Sequence, residues 1–319
     1  MSRPFAPRLR VSSYLSDWMP SGDETRQSVA GYFGGGNDLS NNLSGIDKIT
    51  FPADTKTTLS ATLTSARRLL GGMADSGVAG YFAGGFTSTQ LSDIDKITFP
   101  ADSKTTLSAT LTSARYGAGS MANSGVAGYF AGGNDGSYIS GIDKITFPAD
   151  TKTTLSATLT SARYGSSGMA NFGVAGYFGG GNGDDLFDNI DKITFPADTK
   201  TTLSATLTTA RNEMGGMANS GVAGYFGGGG STELSGIDKI TFPADTKTTL
   251  SATLTSARRA LGGMADSGVA GYFGGGYDGS SAISGIDKIT FPADTKTTLS
   301  ATLTSARYGS SGMADCGVF

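Results

Sequence analysis

Apolar and polar residues alternate along this chain in short runs with a period of two, and nowhere do they recur at the spacing of a helical stripe. In the first block Leu59, Ala61 and Leu63 alternate with Thr58, Ser60, Thr62 and Thr64, which predicts a strand. Ile49 and Phe51 alternate with Lys48 and Thr50 in a β-branched and aromatic run that Pro52 stops, since proline has no amide to offer a ladder. Val29 to Phe33 is short, apolar and aromatic and runs into Gly34-Gly35-Gly36, whose backbone freedom permits a sharp turn. Gly71 to Asp75 sets small residues around Met73, as an inner strand crowded against an axis would need.

These four segments recur. The string IDKITFPAD has its first aspartate at Asp47, Asp95, Asp143, Asp191, Asp238 and Asp287, at spacings of 48, 48, 48, 47 and 49 residues. Each unit also carries GYFGG or GYFAGG, then TTLSATLTSAR or TTLSATLTTAR, then a glycine-rich stretch ending in Met-Ala-Asp or Met-Ala-Asn. Four short strands per unit, with no helix, predict an all-β, six-bladed β-propeller of four-stranded blades. The first unit starts at its second strand, and the chain finishes with an extra first strand, Gly309 to Phe319. Closure of the ring therefore has the C-terminal strand completing the first blade beside residues 29–36.

The units resemble the kelch repeat over most of the chain. GYFGGG looks like the kelch second strand, IDKITFPADT like the third strand and its turn, and the SAR arginine sits where kelch units place one before their first strand. Leu59 and its equivalents stand where the fourth kelch strand usually has tryptophan, so the chain reads as a divergent member. Residues 28–319 make the propeller and residues 1–27 a separate arm. That arm holds the only tryptophan, Trp18, and Arg8, Arg10 and Tyr14, and is read either as a disordered tail or as an anchor on another subunit.

Composition narrows the chemistry. Glycine is abundant at 49 residues, yet no Gly-X-Y period accompanies it, and hydrophobic residues reach 38%, enough for a packed core. Net charge is −3 with both signs interspersed, giving no footprint for nucleic acid or an anionic membrane. No apolar run approaches a membrane span, and the start, MSRPFAPRLR, lacks the apolar region of a Sec-type signal peptide. The single Cys316 forms no intrachain disulfide. With no histidine there is no histidine-based triad, and the kelch-type copper oxidases are excluded as analogues. The GGG runs precede a loop and strand rather than a helix, so they do not read as phosphate cradles. The Asp-box pattern of sialidases is absent. NDGS, NGDD and YDGS could offer oxygens to calcium but lack EF-hand spacing and read as turns. Asp47, Asp54 and their equivalents recur in every blade beside lysines, which reads as solvated ion pairs. No enzyme, cofactor or metal site is expected.

Comparison of the six units locates the variation. PADTKTT is almost constant, as is the turn between first and second strands, whereas the stretch after the glycines reads NDLSNNLS, FTSTQLSD, NDGSYISG, NGDDLFDN, GSTELSG and YDGSSAISG. The stretch after SAR or TAR also varies. In an antiparallel blade these two connections leave the same side of the disc, so one face is diversified and the other nearly uniform. Kelch propellers commonly bind partners on the first of these faces, and the resemblance implies the same here. The candidate ligand-binding residues are Arg67, Arg68, Tyr116, Tyr164, Arg211, Arg259, Tyr308, Phe86, Tyr138, Phe187 and Tyr277, since aromatics and arginines suit contact with sugars or proteins. The SAR arginines are expected near the pore mouth, gripping an anion or bonding strand carbonyls. In style the chain resembles propellers in the fibres, tails or capsid appendages of bacteriophages. That implies a virion structural protein anchored to other virion proteins through Arg8, Arg10, Tyr14 and Trp18, with its variable face on a host-surface glycan or protein. A cytoplasmic kelch adaptor, taking an acidic peptide at the arginine ring, is the alternative.

Overall fold

Each unit of the repeat forms one four-stranded antiparallel sheet, and six such sheets stand as blades around an axis. The structure is a computed structural model and describes residues 30–315. The first unit supplies β1 (Ala30–Gly34), β2 (Ile46–Thr50) and β3 (Thr55–Thr58). The second blade is β4 (Gly71–Asp75), β5 (Ala79–Ala83), β6 (Ile94–Thr98) and β7 (Ser103–Thr106). The third is β8 (Gly119–Asn123), β9 (Ala127–Ala131), β10 (Ile142–Thr146) and β11 (Thr151–Thr154), and the fourth β12 (Ser167–Asn171), β13 (Ala175–Gly179), β14 (Ile190–Thr194) and β15 (Thr199–Thr202). The fifth is β16 (Gly215–Asn219), β17 (Ala223–Gly227), β18 (Ile237–Thr241) and β19 (Thr246–Thr249), and the sixth β20 (Gly262–Asp266), β21 (Ala270–Gly274), β22 (Ile286–Thr290) and β23 (Thr295–Thr298). The last strand, β24 (Ser311–Asp315), pairs with β1 from Ala30 opposite Asp315 to Gly34 opposite Ser311, so the first blade is closed by the C-terminal strand as expected.

The inner strands β24, β4, β8, β12, β16 and β20 lie each against the next in a closed circle. Their glycines let backbones approach where side chains would not fit. A Cβ on Gly168 would stand 2.1 Å from the Ser120 carbonyl, and one on Gly216 2.3 Å from the Gly168 carbonyl. The core lies between blades rather than within them. Met73 packs onto Gly128 of the next blade, and Phe82 reaches back over Gly34 of the preceding one. On the uniform side, Tyr32 stacks on Phe99 of the next blade with centroids 5.1 Å apart. Its hydroxyl donates to Asp102 at 2.8 Å, and Lys48 binds the same carboxylate at 2.7 Å. Asp102 has φ of 53°, a conformation aspartate tolerates better than most residues. The same latch closes the ring through Tyr272, Lys288 and Asp54.

Two expectations are corrected. The outermost strand is Thr55–Thr58, not the alternating run after it. Residues 59–67 do keep the alternation of covered and exposed positions. Their amides, however, reach backbone carbonyls only at every fourth residue, Leu59 to Ile46 O, Leu63 to Ser44 O and Arg67 to Leu43 O. The run is an extended strap that carries the chain to the next blade, so a period of two identified extension without identifying a ladder. The second correction concerns the repeated carboxylates. Asp95 is fully buried rather than solvated. It accepts from Arg67 at 2.7 Å, from the Thr64 amide and hydroxyl at 2.9 and 2.6 Å, and from the Thr106 hydroxyl at 2.8 Å. Thr64 and Arg67 belong to the strap arriving from the first blade, so each such aspartate ties two blades together.

Candidate recognition face

The two variable connections meet on one side because, in five of the six blades, the residue after SAR bridges the first residue of the post-glycine loop in its own blade. Arg68 bridges Phe86, Tyr116 bridges Asn134, Tyr164 bridges Asn182, Arg259 bridges Tyr277 and Tyr308 bridges Asn37. The paired glycines before each loop make this turn possible: Gly35 and Gly36 have φ of 66° and 110°. Inside this collar lies a closed ring of backbone hydrogen bonds. The amide of Leu69 donates to Gly309 O, Gly117 to Leu69 O, Gly165 to Gly117 O, Glu213 to Gly165 O, Ala260 to Glu213 O and Gly309 to Ala260 O, at 2.6–2.7 Å. All six residues have φ between 54° and 67°, which three glycines accommodate freely. This ring and the first residues of the inner strands line an axial cavity of about 100 Å³.

Aromatic side chains form arcs around the collar. Phe86 and Tyr116 meet edge to face at 5.4 Å, and Tyr116 and Tyr164 at 5.8 Å. Tyr138, among the exposed large side chains, stacks on Tyr164 at 5.7 Å, and the Arg68 guanidinium lies over Phe86. A second arc joins Arg259, over the Tyr277 ring, to Tyr308, 5.8 Å from Tyr277. The fifth blade interrupts the collar, for there the position after TAR is Asn212, which is buried. Next to it, the Glu213 carboxyl is pushed above the usual carboxylate range by burial, an effect offset in part by Arg259 at 4.0 Å. Arg259 also lies 3.4 Å from Glu233.

Most of the sequence-predicted site residues gather here: Arg68, Phe86, Tyr116, Tyr138 and Tyr164 in one arc, and Arg259, Tyr277 and Tyr308 in the other. Phe187 lies under the buried Arg163 guanidinium and is shared with the frame. Arg67 and Arg211 are corrected. They are 0% and 3% exposed and pair with Asp95 and Asp238, because the strap carries them inward between blades rather than to the pore mouth. Arg8, Arg10, Tyr14 and Trp18 lie outside the described residues.

Charge is segregated in a way the interspersed signs conceal. The loops of this face hold nine carboxylates, Asp38, Asp93, Asp135, Asp184, Asp185, Asp188, Glu213, Glu233 and Asp278, against the two surface arginines Arg68 and Arg259. The other described residues hold eighteen basic side chains against fifteen aspartates, and are net positive. Counting charge by loop rather than by chain would have exposed this from the sequence.

The fold and the face together define a six-bladed β-propeller with one diversified side. No family model matches the sequence, and no curated protein matches it.

Proposed function

We propose that the protein is a non-enzymatic attachment module, a kelch-like propeller of the kind carried in virion appendages, whose variable face contacts a host-surface glycan or protein. One observation carries this reading: the repeated charged and hydroxyl side chains are engaged in holding blades together, whereas the diversified positions converge on one face as contiguous aromatic arcs. Diversified loops on a rigid scaffold are the usual construction of a recognition surface. Ala30 begins β1 on the opposite, uniform side, and residues 1–27 are proposed as the anchor to other virion proteins. The cytoplasmic adaptor reading loses its expected surface, since the arginine ring it required is buried between blades.

The test compares the full chain with a variant in which the loop after each glycine pair carries the fifth-blade sequence Ser231–Gly236. Binding to bacterial cell surfaces and to a glycan panel is expected for the parent and lost in the variant. Equal binding by both would move recognition to the arm or to the uniform face and sink this reading.

A further inference from the structure

Resting on the variable face as the recognition surface, we propose that its partner is a lysine-rich segment of a protein, one of whose ammonium groups enters the axial cavity beside Glu213. Three observations converge. The loops of this face carry seven more negative than positive charges, a potential that draws cations and repels phosphorylated, sulfated or sialylated glycans.

The second observation is the cavity. Glu213 lines it, and so do Ser166 and Ser310, which are 7% and 6% exposed and whose hydroxyls make no hydrogen bond among the described residues. Those two serines come from the fourth and first blades, on opposite sides of the axis. A carboxylate accepts and each serine hydroxyl can accept through its two lone pairs, and an ammonium group brings three donors and no acceptor. About 100 Å³ gives room for roughly three water-sized groups, enough for an ammonium head and the end of its stem. Among the described residues the nearest cation to Glu213 is Arg259 at 4.0 Å, beyond hydrogen-bond distance, so a closer cation would compensate a carboxylate that is costly to bury.

The third observation separates a protein from an amine-bearing polysaccharide. Around the cavity stand Tyr116, Tyr164, Tyr138 and Tyr308, whose ring faces attract further ammonium groups, interleaved with Arg68 and Arg259. Tyrosine and arginine are the side chains that dominate protein interfaces, and the spread of carboxylates over six loops matches a chain with several lysines.

The experiment measures binding of a fluorescent oligolysine peptide to the full chain by anisotropy, at low and at physiological salt. An Nε-acetylated copy of the peptide and a chitosan oligomer serve as comparisons. The expected result is salt-sensitive binding of oligolysine that acetylation abolishes, with Glu213→Gln weakening it by about thirtyfold or more, the scale of removing one partner of a desolvated charge pair. The variant is expected to unfold at the same midpoint as the parent. Absence of oligolysine binding, or stronger binding of chitosan, would overturn the proposal. Unchanged affinity in Glu213→Gln would remove the cavity as the ammonium seat. If bacterial surfaces still bind through the variable loops while oligolysine does not, this inference falls and the recognition reading stands.

Discussion

A chain ending at Ser310 is expected to lose the folded monomer. Without β24 the full length of β1 becomes an open edge, and five residue pairs of backbone register disappear. Met313, 3% exposed, leaves the cluster it shares with Phe82 and Phe99, and Gly77 loses the Asp315 carboxylate at 2.7 Å that accepts its amide. Deleting one large core side chain costs about 2–5 kcal/mol, and each buried polar group left unpaired about 1–3 kcal/mol more, which together consume most of a typical folding free energy. Size-exclusion chromatography and thermal unfolding monitored by circular dichroism measure the outcome. A circular permutant that places residues 308–315, followed by a three-residue turn copied from Ser76-Gly77-Val78, before Ala30 restores the same pairing and is expected to recover a cooperative transition. A truncated chain that melts like the parent would mean that closure by β24 contributes little.

Substitution of one buried hub is expected to cost nearly as much. Asp95→Asn keeps the shape of the side chain but leaves the buried Arg67 guanidinium without its counter-charge and sets an amide donor against donors. Breaking a buried pair in this way costs about 3–5 kcal/mol, whereas a solvated pair would cost less than about 1 kcal/mol. Urea unfolding of the variant distinguishes the two. The same hub sets a pH dependence. Burial by itself would raise the Asp95 pKa, but the Thr64 hydroxyl and amide, the Thr106 hydroxyl and the Arg67 charge outweigh it, so the pKa is lowered. Asp143, Asp191, Asp238 and Asp287 are lowered in the same manner. A carboxylate whose folded pKa lies below its unfolded value contributes stability that is present above the unfolded pKa. That contribution is lost as pH falls through the folded pKa. Stability from these groups is therefore expected to hold through neutral pH and to fall off below about pH 4, and Asp95→Asn to shallow that acid-side loss.

The repeat period, the strand count and ring closure were legible because local pattern decides them. IDKIT alternates, GYFGG ends in glycines that turn, and the extra first strand at the C-terminus has only one open edge to meet. Residues 59–67 were misread because alternation reports an extended chain with two faces, and a strap pinned at Leu59, Leu63 and Arg67 produces the same alternation as a ladder. Burial of Asp47 and its equivalents was not legible, since a carboxylate one residue from a lysine reads as surface. What buries it is a threonine and an arginine arriving from the neighbouring blade, 31 and 28 residues away from Asp95 in sequence. At the recognition face, the one-sided variation was legible from comparing units. The collar was not, because contacts such as Tyr116 with Tyr164 join residues a whole repeat apart.

The division of labour between a uniform frame and a variable face is tested most directly by thermal unfolding of the six-loop variant carrying Ser231–Gly236 in every blade. If the frame alone holds the fold, the variant, with Phe187 and Asn189 kept for their contacts with the buried Arg163, unfolds cooperatively within about 5 °C of the parent, because substitutions outside core and hubs change stability little. A midpoint lower by tens of degrees, or loss of the cooperative transition, would contradict the account, for it would mean that the diversified loops are part of what holds the blades together.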